Sequence, residues 1–282
     1  MNFAASCADR SVYMRFPLGG SVTKNGDHTW LHGESLIRAK TGVCNFGNWE
    51  CLKPAQKNDI LKVLDDGYIA FGRRDNNRAS GSATMECLPP PLPLRTAVWT
   101  YRTCGKNSGK QQPNVLENLI RVFGIPFLVD AEMNLSAENI HERFEIFLHG
   151  SKVNPRTVPL DDLIQFLRVI NRIAVTVNEE AVKLMTNYFV ACRKLRGDVF
   201  PARSITFMTT LAEAHARLSL RNEVTCDDVI AVIYLHEEAM TFLYGHTVST
   251  HPPFAKLDVD TVGEKMEAFK SWLARHLRSV IG

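Results

Sequence analysis

The strongest constraint on the fold is a change of rhythm near Pro159. Before it, short β-branched and aromatic runs alternate with helix-like stretches. After it, apolar residues recur only at helical spacing. Strands interleaved with helices imply a largely parallel α/β sheet, because parallel neighbours are joined by crossover helices. A helix-only sequel implies a packed helical layer. The expected organisation is an α/β core over residues 1–150, a helical region over 151–245, and a linker with a C-terminal amphipathic helix over 246–282.

Local signals fill this frame. Leu36-Ile37-Arg38-Ala39 and Gly42-Val43-Cys44 read as strands or strand ends. Pro54 to Asp66 reads as a helix opened by proline and stopped by Gly67, with Ile60, Leu61 and Leu64 on one face. Tyr68 to Phe71 and Ala83 to Leu88 flank a polar turn, which predicts a hairpin with a long tip. Arg95 to Thr103 is β-branched and aromatic, hence a strand; Val115 to Val122 fits a short helix and Ile125 to Val129 a buried strand. Further helices are predicted over Leu160 to Ile173, from Asn178 to Arg196, over Arg203 to Leu220, and from Thr225 to near Gly245. Between Asp260 and Ile281, Met266, Phe269, Trp272, Leu273 and Leu277 mark an apolar face that must dock on the body or a partner.

Composition narrows the function classes. The chain is 45% hydrophobic and 22% charged over 282 residues, enough to bury a core. A net charge of +3 permits a nucleic-acid partner without requiring one. No apolar run approaches the length of a membrane span, and Met1 to Ala5 lacks a signal-peptide pattern, so neither membrane nor secretion is expected. Seven cysteines form no CxxC pair and read as reduced thiols of the cytosol or nucleus. Cys44 and Cys51 with His28 or His32 match no standard zinc spacing, so no metal site is expected.

Gly42 to Pro54 reads GVCNFGNWECLKP, the profile of a buried strand opening onto a site. In many nucleotide-hydrolysing proteins two carboxylates follow such a strand, holding Mg²⁺ and polarising water. Here those places hold Gly47 and Asn48.

Together with other stretches, this segment resembles the AAA+ region of MCM proteins, the subunits of replicative DNA helicases. GVCNFGNWECLKP falls without a gap on the family's GVCCIDEFDKM. Trp30 to Ala39 resembles the W-x-LEAGALVLAD lead-in. Arg203-Ser204-Ile205 with Leu211 to Leu218 (LAEAHARL) is similar to TxRQLE…LAEAHARL, and Val224, Thr225, Asp228 and Val229 match VTxxDV. The resemblance runs through roughly residues 10–245 in consistent order, and the degenerate motifs place the chain near the divergent meiotic members. It implies an AAA+ P-loop-NTPase-like parallel sheet core followed by an all-helical lid.

The resemblance also states which chemistry is missing. A P-loop (GxxxxGK, then Ser or Thr) is absent; Gly105-Lys106 and Gly109-Lys110 are the only GK pairs and read as a solvated basic loop. The family's P-loop would lie at or before Met1, or have decayed near Arg15 to Gly20. ATP and Mg²⁺ are therefore expected only if a P-loop lies upstream. The paired acids map to Gly47 and Asn48, and Glu50 matches a later family aspartate. Thr103 stands for the sensor asparagine. Val122 occupies the arginine-finger position, with Arg121 one residue early. Arg203 matches the lid arginine that contacts phosphates; the competing reading is a helix-end arginine paired with a local carboxylate. No catalytic residue is assigned, and the expectation is a pseudo-ATPase.

MCM proteins present two pore-facing hairpins. Ser21 to Leu31 resembles the first, with Lys24, Asn25 and Gly26 at its tip. Tyr68 to Leu88 resembles the second, where Arg73, Arg74 and Arg78 suit sequence-independent phosphate contact. The family's pore lysine falls at Phe71, and Arg102, Lys106 and Lys110 extend the basic surface. The implied function is a non-catalytic MCM-like subunit acting on DNA in the nucleus, assembled with other MCM-like subunits, in meiotic recombination and crossover formation. The alternatives are an active helicase subunit with an upstream P-loop and a protein scaffold that binds no DNA.

Overall fold

A computed structural model describes residues 7–8, 10–16, 18–25, 28–73, 90–102, 119–127, 158–197, 200–244 and 261–281. The chain forms two compact units, Met1–Pro113 and Asn114–Gly282. The division falls before residue 150 because residues 119–127 pack with the helices. Ile125 lies against their core and Gly124 beside the Phe207 ring.

In the first unit, β4 (Val43–Asn48) is the central strand of a parallel sheet. Its neighbours are β1 (Ser11–Tyr13) and β8 (Ala97–Tyr101). Val43, Cys44, Asn45 and Phe46 are buried in succession, as a strand covered on both faces requires. A second sheet joins β2 (Gly20–Asn25) to β3 (His28–Gly33) antiparallel and to β6 (Phe71–Arg73) parallel. A small antiparallel pair, β5 (Tyr68–Ile69) with β7 (Leu92–Pro93), completes the strands described here.

Helix α2 (Pro54–Asp66) is as expected. Gln56 Oε1 accepts the Lys53 N–H at 3.0 Å, Ile60 and Leu64 are buried, and the N–H of Gly67 closes the last turn on the Val63 carbonyl. Two expectations change in this unit. Leu36 to Ala39 is not a strand: α1 (Ser35–Arg38) is a single helical turn. Its position is fixed by Ser35, whose hydroxyl donates to the Arg15 carbonyl at 2.9 Å and accepts the Arg15 N–H at 2.7 Å. Tyr68 to Phe71 is not one hairpin arm either, because β5 and β6 enter different sheets. Residues Ala83 to Leu88 lie outside the described residues.

The second unit packs α3 (Leu160–Ile170), α4 (Glu179–Arg196), α5 (Ser204–Leu218), α6 (Cys226–Tyr244) and α7 (Val262–Ile281), with a short parallel ladder between β9 (Thr176–Val177) and β10 (Glu223–Val224). Asn178 caps α4 as predicted, its Oδ1 accepting the Glu180 N–H at 2.8 Å. Met185, Tyr188, Phe200, Met208, Ile233, Phe269 and Leu273 belong to one core. The predicted face of α7 docks on that body: Phe269 and Leu273 are fully buried, while Met266, Trp272 and Leu277 pack around them.

Residues 119–123 are helical, the described part of the predicted Val115 to Val122 helix. Ile125 to Phe127 is not a strand, since Pro126 has no N–H for a ladder and Ile125 serves the helical core. Leu128 and Val129 lie outside the described residues. None of the described helices is long and apolar enough to cross a membrane.

Candidate functional site

The exit of β4 is a bulge. Asn45 pairs with Trp99 of β8, but Asn48 pairs with Tyr101, so β4 carries one residue more than its partner. Gly47 sits within it at φ +70°. Asn45 Oδ1 accepts the Gly47 N–H at 2.9 Å, and the Thr100 hydroxyl donates to the Gly47 carbonyl at 3.0 Å. Asn48 Oδ1 accepts the Glu50 N–H at 3.0 Å, opening the 3₁₀ turn Trp49–Cys51. Glu50 in turn accepts a hydrogen bond from Arg102 Nε at 2.9 Å, from the exit of β8.

These residues do not fit Mg²⁺, which is held by carboxylates and water in near-octahedral geometry. Each asparagine carbonyl accepts one of the chain's own N–H groups, and neither supplies the negative charge of a carboxylate. The carboxylate that remains at this exit is neutralised by a guanidinium. Cys44, buried in β4, has its thiol pushed up to about 12 by burial and acts as a packing residue; Cys51 is exposed.

The two predicted hairpin segments share one sheet. Lys24 stands opposite Thr29, next to the last ladder pair, Asn25 with His28. Because β6 runs parallel beside β2, Arg73 stands opposite Val22 and leads toward the same end. The three strands of this sheet contain no acidic residue. Phe71, at the pore-lysine position, lies over Gly20: a Cβ there would fall 2.3 Å from its ring. Thr103, Arg74, Arg78, Lys106 and Lys110 lie outside the described residues.

The two arginines expected at a nucleotide site both belong to the second unit. Arg121 is exposed on the helical turn 119–123, while Val122 beside it is buried. Arg203 opens α5 with its guanidinium carbon 5.8 Å from the Phe207 ring centroid.

The hub of this helical unit is Asp228, at the third residue of α6 and fully buried. It accepts the Thr225 N–H at 2.8 Å, closing a capping arrangement. Arg221 grips both its oxygens, at 2.5 and 2.7 Å, and His215 Nδ1 lies 2.6 Å from Oδ1. Burial alone would raise its pKa; Arg221, His215 and Thr225 outweigh that and hold the carboxyl well below the usual range. The LAEAHARL and VTxxDV segments therefore meet at one carboxylate.

Residues 161–240 match the MCM AAA-lid domain. The chain carries an MCM lid and is related to the MCM proteins. It is 24% identical over 266 residues to human minichromosome maintenance domain-containing protein 2, covering 83% of this chain and 37% of that protein. The rat protein of the same name is 32% identical over 255 residues, covering 80% and 36%. The DNA replication licensing factor mcm4 of Schizosaccharomyces pombe is 32% identical over 266 residues, covering 86% and 27%. The chain thus spans little more than a third of the first two relatives' length. A parallel sheet followed in the chain by an MCM lid is the AAA+ fold.

The MCM lid also contains a polar cluster that the sequence reading missed. Arg196 Nη2 of α4 lies 2.6 Å from Glu237 Oε2 of α6, both side chains essentially without solvent exposure. Burial disfavours both charges; their mutual hydrogen bond and attraction outweigh it, raising the arginine and lowering the glutamate. Tyr188 OH donates to Glu237 Oε1 at 2.5 Å and lies 2.7 Å from His236 Nδ1. A tyrosine has one proton, and an ionised carboxylate can only accept. His236 must therefore carry its proton on Nδ1 and donate to the tyrosine oxygen. That leaves Nε2 bare, buried, and without a hydrogen-bond partner among the described residues. One sequence signal was available: His236-Glu237 interrupts the apolar run VIAVIYL, so both were candidates for burial.

Proposed function

We propose that the chain is part of a non-catalytic MCM-like AAA+ subunit that acts on DNA in the nucleus, assembled with other MCM-like chains. Meiotic recombination and crossover formation is the process we assign. The observation that carries the non-catalytic reading is the exit of β4, where Gly47 and Asn48 replace the paired acids and Arg102 neutralises Glu50. Loss of the acids alone removes several kcal/mol of transition-state stabilisation, on the order of what one preorganised electrostatic group supplies. Similarity to a DNA replication licensing factor and to a probable DNA helicase supports DNA as the substrate. Similarity to minichromosome maintenance domain-containing protein 2 supports placing the chain with the divergent members.

Purified full-length protein should release no phosphate from ATP above background, with or without DNA. Hydrolysis that disappears when a P-loop lysine upstream is mutated would overturn this reading in favour of an active helicase subunit. Binding of DNA should weaken with salt and with the triple change Arg73→Ala, Arg74→Ala and Arg78→Ala. Undiminished binding by that variant sinks the hairpin assignment. Co-purification with MCM-like chains, without DNA binding at low salt, would leave the scaffold reading standing.

A further inference from the structure

The C-terminal ends of α4 and α7 lie side by side, tied by Lys194 Nζ, which donates to the Val280 carbonyl at 3.3 Å. Neither helix carries an acid over its last half: residues 187–197 and 268–282 contain none. They do carry Arg193 and Lys194 on α4 and Arg275 and Arg278 on α7, all exposed. Arg196 is buried and already neutralised by Glu237, so it adds no charge to this surface. Lys270, also exposed, is paired with Asp227 and Glu267, and burial holds His276 below its ordinary pKa, which leaves the surface charge to the other four cations. The acids that immediately flank these stretches in the sequence are Asp198, which lies outside the described residues, and Glu267, which lies 3.7 Å from Lys270.

Part of this charge has a local use. Cations near a helix C-terminus complement the macrodipole, and Arg193 donates to the carbonyls of Gly197 and Phe200. Arg275 and Arg278 are different. Each uses Nε on the carbonyl four residues back, Ser271 and Ala274, which engages one of five donors and leaves the guanidinium fork exposed. An exposed fork is the geometry that recognises phosphate bidentately. Helix α7 lies beyond residues 161–240, so Arg275 and Arg278 fall outside the matched lid, whereas Lys194 falls within it.

We propose that the paired C-terminal ends of α4 and α7 form a second nucleic-acid contact, a sequence-independent phosphate-binding surface built on Lys194, Arg275 and Arg278. The proposal rests on the reading that this protein acts on DNA and extends that action to the helical unit. Two adjoining helix ends that carry cations and no acid over residues 187–197 and 268–281 suit a uniformly charged backbone. An acidic protein partner would bring discrete carboxylates among other side chains.

The test is fluorescence anisotropy of full-length protein on a labelled oligo-dT and on a duplex of equal length, between about 50 and 200 mM salt. Arg275→Ala with Arg278→Ala should weaken binding about tenfold and reduce the slope of log K against log salt by about 2. Arg275→Lys with Arg278→Lys should restore the slope, which a merely structural role would not predict. Wild-type affinity and slope in the double alanine variant would overturn the proposal. Loss of binding only in the Arg73, Arg74 and Arg78 triple variant overturns this surface and leaves the action on DNA intact. No binding by the wild-type protein at low salt overturns both. Tighter binding to polyglutamate than to either DNA overturns it in favour of an acidic partner.

Discussion

At Gly47 the backbone turns through φ +70°, yet a Cβ built there meets nothing within 4 Å. Space does not select the glycine; conformation does. Gly47→Ala should therefore cost about 1–2 kcal/mol, the penalty of a left-handed alanine, read as a lower denaturation midpoint. Gly47→Asn should cost less, since asparagine visits this region more readily. A cost for alanine no larger than for asparagine would refute the account. Restoring an aspartate at 47 would not rebuild a metal site, because Asn45, Asn48 and the Glu50–Arg102 pair remain committed around it. Gly47 and Asn48 were legible in the sequence. The bulge was not, since it exists only through the pairing of β4 with β8.

Between helices, the decisive feature is the Arg196–Glu237 pair linking α4 to α6. Glu237→Gln leaves a buried guanidinium without its counter-charge and should cost about 3–5 kcal/mol in chemical denaturation. Arg196→Met together with Glu237→Leu should recover most of that loss, since a packed apolar pair avoids the desolvation penalty. If the double variant is as unstable as the sum of the singles, the two groups are not coupled. Helix limits were legible wherever caps are local, as at Asn178 and Pro54. They were misread at Leu36 to Ala39 because Ser35 is anchored to Arg15, twenty residues away, outside any local window. Glu237 escaped notice for the same reason: its partner lies on another helix.

For the whole molecule, these buried groups set the response to acid. His236 is pushed down to about 4 by burial from an ordinary 6.5. Between those values the unfolded chain binds more protons than the folded one, so stability is full above pH 6.5 and declines as pH falls toward 4. The loss should reach roughly 3 kcal/mol from this group. Asp228 and Glu237, whose carboxyls are held below their usual range, add their own loss at lower pH still. A melting series of the full chain should show a flat Tm above pH 7 and a fall beginning near 6.5. His236→Gln should flatten that first fall at a lower overall Tm; an unchanged profile would exclude His236 as its source. The α/β core and helical sequel could be read from periodicity at this scale, whereas the acid response depends on three-dimensional burial.

The placement of β6 has a consequence for assembly. Two residues of sequence separate β2 from β3, so that pair can close within microseconds. β6 joins β2 from its other side only after the chain has passed through α1, β4, α2 and β5. That non-local closure bears a larger entropic cost and is expected late in folding. A chain released or captured part-way would then hold the β2–β3 pair before β6 is in place. The basic end of the sheet is a late product of folding, and its appearance would report that the surrounding α/β layer has formed.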